Sequence, residues 1–177
     1  MFIGVTVAIQ ACALPAQALL KAYSWSGGYT DCFVIETDAR ISLARYVEAF
    51  YTSWLFRLER LVLTLAARPS SDLQAVELAA GRGTAFAAWE VESCAVDQLL
   101  MRDVTGRTRS WFMVAPAAGC TWLYFGSAIT ATRQGCPEQP TVGPVFRALV
   151  KSHELYSRAL LAAARRRLQR HADLVNP

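Results

Sequence analysis

One stretch constrains this chain more than any other: Val145–Arg170. Phe146, Leu149, Val150, His153, Tyr156, Leu160, Leu161 and Ala164 recur at three- and four-residue steps, drawing one apolar stripe along an α-helix. Pro144 suits the first helical position, where its missing N–H is no loss, and Gly143 or Thr141 can cap it. The large side chains of the stripe, at about 1.5–3 kcal/mol each when fully buried, supply on the order of 10 kcal/mol gross. No other segment offers so long an uninterrupted apolar face. The expectation is a sheet wrapped around this helix.

The chain ahead of it reads in order. Ala16–Leu20 (AQALL) makes a helical turn or arm, and Ser24–Gly28 is a loop broken by its glycines. Tyr29–Thr37 (YTDCFVIET), rich in β-branched and aromatic residues, predicts a strand. Asp38 or Ser42 then caps a helix from Leu43, where Val47, Phe50, Trp54, Leu58, Leu61, Val62 and Leu65 keep helical spacing as one stripe. The β-branched and aromatic cluster Phe50–Trp54 leaves one helix or two, with any break around Thr52–Ser53, and Arg68–Pro69–Ser70–Ser71 ends the helical part.

From about Val76 to Thr130, alternation and turn signals replace the helical period. Phe86–Val96 places Trp89, Val91, Ser93 and Ala95 on one face and Glu90 and Glu92 on the other. Gln98–Asp103 and Thr108–Ala115 flank Val104–Thr105–Gly106, a three-residue hairpin loop with Gly106 left-handed. That register sets Asp103 beside Arg107 and Leu99 near Trp111. After a turn at Pro116–Gly119, Thr121–Ala131 is the last strand, and Thr132–Thr141 leads into the closing helix.

Helices segregated onto one face of an antiparallel sheet make an α+β fold. We expect one domain: an N-terminal arm over 1–28, strand, helices and meander over 29–141, and the C-terminal helix over 142–171. The order resembles the helix-grip fold, the START and pollen-allergen-like superfamily, in which a curved sheet grips the last helix. Within it, Ala13–Leu20 followed by Tyr29–Phe33 (ALPAQALL…YTDCF), then Trp54 and Val145–Val150, look like a bacterial family of unknown function. The resemblance implies a hydrophobic cavity between sheet and helix, and no catalytic residue to carry over.

Composition narrows the function. At 177 residues and 54% hydrophobic the chain is no disordered segment, and five Trp, six Tyr and eight Phe exceed what a compact core of this size needs. The net charge of +4 sits largely in Arg165–Arg167 and Arg170, without the basic, aromatic-studded face of a nucleic-acid binder, so no nucleic-acid partner is expected. We expect that tail to overhang the sheet into solvent. The odd set Cys12, Cys32, Cys94, Cys120 and Cys136 fits neither zinc spacing nor a disulfide scaffold, and points to free thiols in a reducing, cytoplasmic setting. Met1–Leu20 is apolar but interrupted by Gln10, Pro15 and Gln17, with no charge before Lys21. A retained arm packed on the domain is expected rather than a signal or membrane anchor.

No strong catalytic motif is present. Gly81–Arg82–Gly83 lacks the third glycine of a dinucleotide site, and His153 with His171 cannot build a histidine-rich metal centre, so no cofactor or metal is expected. Glu90 and Glu92 read as solvated rather than catalytic. His153, placed on the apolar stripe, reads as a buried polar anchor, with acid–base chemistry as the sharper alternative. The pocket candidates are Trp54, Trp89, Trp111, Tyr124, His153 and Tyr156, around a small apolar or aromatic molecule. The rivals are a cyclase- or dehydratase-like enzyme using His153, and a structural or partner-binding protein with a solid core.

Overall fold

A computed structural model describes residues 8–24, 29–65, 68–130 and 144–175 and, within the last helix, the side chains of 151–170. The expectations for Met1–Val7, the loop to Thr141, Cys136, His171 and the side chains of Phe146–Val150 lie outside the described residues. The elements run β1 (Gln10–Ala11), α1 (Lys21–Ser24), β2 (Tyr29–Thr37), α2 (Leu43–Tyr51), α3 (Trp54–Leu65), α4 (Asp72–Ala79), β3 (Ala85–Phe86), β4 (Trp89–Cys94), β5 (Gln98–Asp103), β6 (Thr108–Pro116), β7 (Thr121–Ile129) and α5 (Pro144–Val175). The strands form one curved, open antiparallel sheet in the order β1-β2-β7-β6-β5-β4-β3. The fold is α+β.

Local chemistry explains most boundaries. The Arg45 N–H donates to Ser42 Oγ at 3.3 Å, capping α2. Thr52 Oγ1 donates back to Glu48 O at 2.6 Å, and Ser53 Oγ accepts the Phe56 N–H at 3.3 Å. Two hydroxyls thus end one helix and open the next at the expected break. Helix α4 is a correction: Ser71 and Gln74 form a reciprocal capping box that starts a helix where the sequence reading placed only a terminator.

A second correction concerns register. The β5–β6 loop is four residues, Val104–Arg107, so Leu99 pairs with Phe112 and Leu100 with Trp111. A one-residue shift turns each side chain of a strand to the opposite face. A bulge between Val91 and Ser93 breaks the expected alternation of β4 in the same way.

The concave face carries Phe33, Ile35, Leu99, Met101, Phe112, Val114, Leu123 and Phe125. Helix α2 fills it: the Phe50 ring centroid is 4.8 Å from those of both Phe112 and Phe125, and Tyr46 is 5.7 Å from Phe112. Helix α5 packs on α2 and along β2 and β7, adding Leu160, Leu161, Ala164 and Leu168 to the same core. The aromatic centre therefore belongs to α2. The expected solvent overhang of the arginine tail is also corrected, because Leu168 is 3% exposed. α2 extends the packing surface past the sheet. Helix α3 turns its stripe outward, with Leu58, Leu61, Val62 and Leu65 all more than half exposed.

The convex face is covered by the arm. β1 pairs with the edge of β2, and Ala18 and Leu20 pack with Cys32, Leu100, Trp111, Met113 and Ala128. Gln98 ties arm to sheet: its Oε1 accepts from the Trp111 indole N–H and the Leu19 N–H, both at 2.9 Å, and its Nε2 donates to Gln17 O at 3.1 Å. Glu90 pairs with Arg102 and Glu92 with Arg109 on this face. Among the described residues no helix is long and apolar enough to cross a membrane.

Candidate functional site

Strands β6 and β7 place Ser110 opposite Ser127 on the concave face, one step along from the Phe112–Phe125 pair. Two small side chains follow two large ones, under the α5 helix. A cavity of about 110 Å³ results, bounded by the sheet, α2, α3 and α5. Phe50, Phe56, Phe125 and Leu160 form apolar walls, Trp89 stands at the β4 side, and His153, Ser127, Glu59 and Tyr156 bring polar groups to it.

The polar end is a chain of three groups. Asp31 Oδ1 accepts both the Ser127 N–H at 2.8 Å and the Ser127 Oγ–H at 2.7 Å. Because that hydroxyl is committed as a donor, its lone pair accepts a hydrogen bond from His153 Nε2–H at 2.6 Å. Burial raises the Asp31 carboxyl above its usual range, against the opposing pull of the Ser127 hydrogen bonds and of His153. Tyr29 Oη–H reaches Glu154 Oε1 at 3.1 Å and Asp31 Oδ2 at 3.4 Å.

Residue types alone suggest a nucleophile triad, but the geometry does not. A triad carboxylate holds the imidazole nitrogen away from the serine. Here Asp31 Oδ2 lies 3.6 Å from the same Nε2 that meets Ser127, and Asp31 itself accepts the serine O–H hydrogen bond. The set anchors His153 on the sheet and leaves Ser127 unactivated.

Across the cavity, Tyr156 of α5 donates to Glu59 of α3. Burial raises the Glu59 carboxyl despite that bond, and the Tyr156 hydroxyl is raised by burial and by Glu59. Tyr51 differs from His153, Ser127, Glu59 and Tyr156. It is 1% exposed, it lines the cavity, and its hydroxyl has no hydrogen-bond partner among the described residues. Burial and the nearby Glu59 charge hold it protonated, so it remains an unused donor.

Of the six sequence candidates, Trp89, His153 and Tyr156 line this cavity. Trp111 and Tyr124 do not: they belong to the convex face, beneath the arm, with ring centroids 6.3 Å apart. The shifted hairpin register puts Trp111 there, and Tyr124 follows as the neighbour of Val34 and Met113. Trp54 is 59% exposed and lies at the α3 N-terminus, beside α5 arginines. Sequence reading missed Tyr51, Glu59 and Ser127. Ser127 carried a readable signal, a polar residue interrupting the inward row Leu123, Phe125, while Tyr51 looked like any helix-stripe aromatic.

Among the described residues no group of three His, Cys, Asp or Glu side chains is placed to hold a metal ion. No protein-family model matches the chain, and no curated protein matches it in sequence. Among solved structures it is similar to CalU16 from Micromonospora echinospora, at 15% identity over 97% of this chain and 98% of that one, with a TM-score of 0.30.

Proposed function

We propose that this chain binds a small apolar or aromatic molecule carrying one polar group, in the cavity between the sheet and the C-terminal helix, in the manner of the helix-grip fold its element order resembles. The observation that carries this reading is the Tyr51 hydroxyl, buried, protonated and without a partner among the described residues, in a cavity wall. A buried hydroxyl without a partner costs roughly 1–3 kcal/mol, and a ligand acceptor removes that cost. Aromatic walls with a few convergent polar groups are the usual composition of such sites. At about 110 Å³, below the roughly 150 Å³ of an apolar cavity that holds benzene, the space limits the ligand to a single ring at most. Within this reading His153 is a polar anchor rather than an acid or base, because Nε2 is engaged by Ser127.

The test compares phenol with toluene on wild type and on Tyr51→Phe, by thermal shift and tryptophan fluorescence. Phenol should bind wild type saturably and lose about tenfold in affinity in the variant, as expected for one hydrogen bond. Toluene should bind both alike. Equal phenol affinity for the two proteins would rule the reading out.

A second reading, partner binding through an apolar surface, is favoured by the exposed α3 stripe of Leu58, Leu61, Val62 and Leu65. Light scattering across a concentration series, with Leu61→Asp as comparison, tests self-association through that stripe.

A further inference from the structure

A second concavity, of about 330 Å³, lies where the start of α3 meets the end of α5, and its walls are Thr52, Trp54, Arg57, Ala163 and the α5 arginines Arg166, Arg167 and Arg170. We infer that this is an anion site for a small phosphate-bearing molecule with an aromatic ring, of the nucleoside diphosphate kind. Four guanidinium groups around one hollow give it a positive field that draws anions in. Arg57 has a carboxylate partner, Asp72. Arg166, Arg167 and Arg170 have no carboxylate ion-pair partner among the described residues, although Arg167 also borders a smaller hollow with Glu48. Arginine presents paired donors that match phosphate oxygens two at a time.

Trp54 supplies the other half. Trp54 is 59% exposed at the rim of this hollow, which leaves aromatic surface open for a planar group to stack on. The shape separates a soluble ligand from a charged surface. A hollow of about 330 Å³ falls at the lower end of small-molecule sites, about 300–1,000 Å³, whereas a flat anionic bilayer would reach only its rim. The site is independent of the Tyr51 cavity, which lies at the other end of the α3–α5 contact.

Calorimetric titration of the full chain with ADP, pyrophosphate and adenosine tests this, alongside sedimentation with phosphatidylglycerol vesicles. Saturable, salt-sensitive binding of ADP and pyrophosphate is expected, with no measurable binding of adenosine. Arg166→Ala/Arg170→Ala, both at exposed positions, should weaken both anions by about tenfold or more, with an unchanged melting temperature. Trp54→Ala should weaken ADP by about fivefold or more and spare pyrophosphate, as loss of one stacking contact predicts. Absence of saturable anion binding, affinities untouched by the double variant, or binding to vesicles alone overturns the site. An ADP affinity that Trp54→Ala leaves unchanged overturns the aromatic part of the ligand.

Discussion

Ser127 Oγ on β7 and His153 Nε2 on α5 are 2.6 Å apart, and this bond, backed by Asp31, fastens the C-terminal helix to the sheet. It makes stability depend on pH in a definite direction. The folded state holds the Asp31 proton more tightly than the unfolded chain does, because burial raises its pKa. Such a group contributes fully below the ordinary carboxyl value of about 4, and its contribution is lost as pH rises through the folded value. Glu59, also raised by burial, acts in the same sense. Asp31→Asn keeps an oxygen for the two Ser127 donors and removes the charge. Between about pH 4 and 7 the wild-type melting temperature should therefore fall relative to that of Asp31→Asn. A difference between the two that is constant across this range would contradict the assignment.

Gly126 is needed for contact rather than conformation. A Cβ there would stand 2.8 Å from Asp31 O, 2.9 Å from Leu20 Cδ2 and 3.1 Å from Trp111 Cε3. Leu20 could swing away, but the Asp31 carbonyl belongs to the adjacent strand. Gly126→Ala should cost about 1–3 kcal/mol, as overpacking does, measured by urea denaturation.

Gln98 should control the arm. Gln98→Leu strands the Trp111 indole N–H, the Leu19 N–H and the Gln17 carbonyl. Each buried orphan costs roughly 1–3 kcal/mol, and the cheapest relief is to release the arm to water. Trypsin should then cut after Lys21 in the variant much faster than in wild type, with a red shift of tryptophan emission. Equal cleavage rates would show that the arm is held elsewhere.

Leu168→Ala should destabilise by about 2–5 kcal/mol, the usual range for a buried leucine. Truncation after Ala164 should be at least as damaging, because it removes Leu168 together with the last turns lying on α2. Thermal melts decide between this and a dispensable tail.

The thiols should react in order of access. Cys94 is exposed, whereas Cys32 is buried, 3.3 Å from the Cys12 sulfur, and its thiol is raised by burial and by its neighbours Cys12 and Asp31. Iodoacetamide at neutral pH, followed by peptide mapping, should label Cys94 well before Cys32. Comparable rates would mean that β1 leaves β2 readily.

What the amino-acid order determines by itself is what neighbours within a few residues decide. The β-branched run Tyr29–Thr37 becomes β2 with those bounds, Ser42 caps α2, the hydroxyls of Thr52 and Ser53 end one helix and begin another, and α5 is long. His153 and Tyr156 reach the cavity because a helix of that period can present only one face to the core. Tertiary structure decided the rest. One extra residue in the Val104–Arg107 loop sent Trp111 to the convex face, since β side chains alternate with period two and a single-residue slip inverts all of them. The α3 stripe has the same periodicity whether it meets a core or water, and Leu58, Leu61, Val62 and Leu65 face outward in the folded chain. The cavity depends on Ser110 and Ser127 standing side by side on different strands, and on Tyr51 meeting no acceptor among the described residues. Those are relations between distant segments, and no local pattern encodes a distance between them.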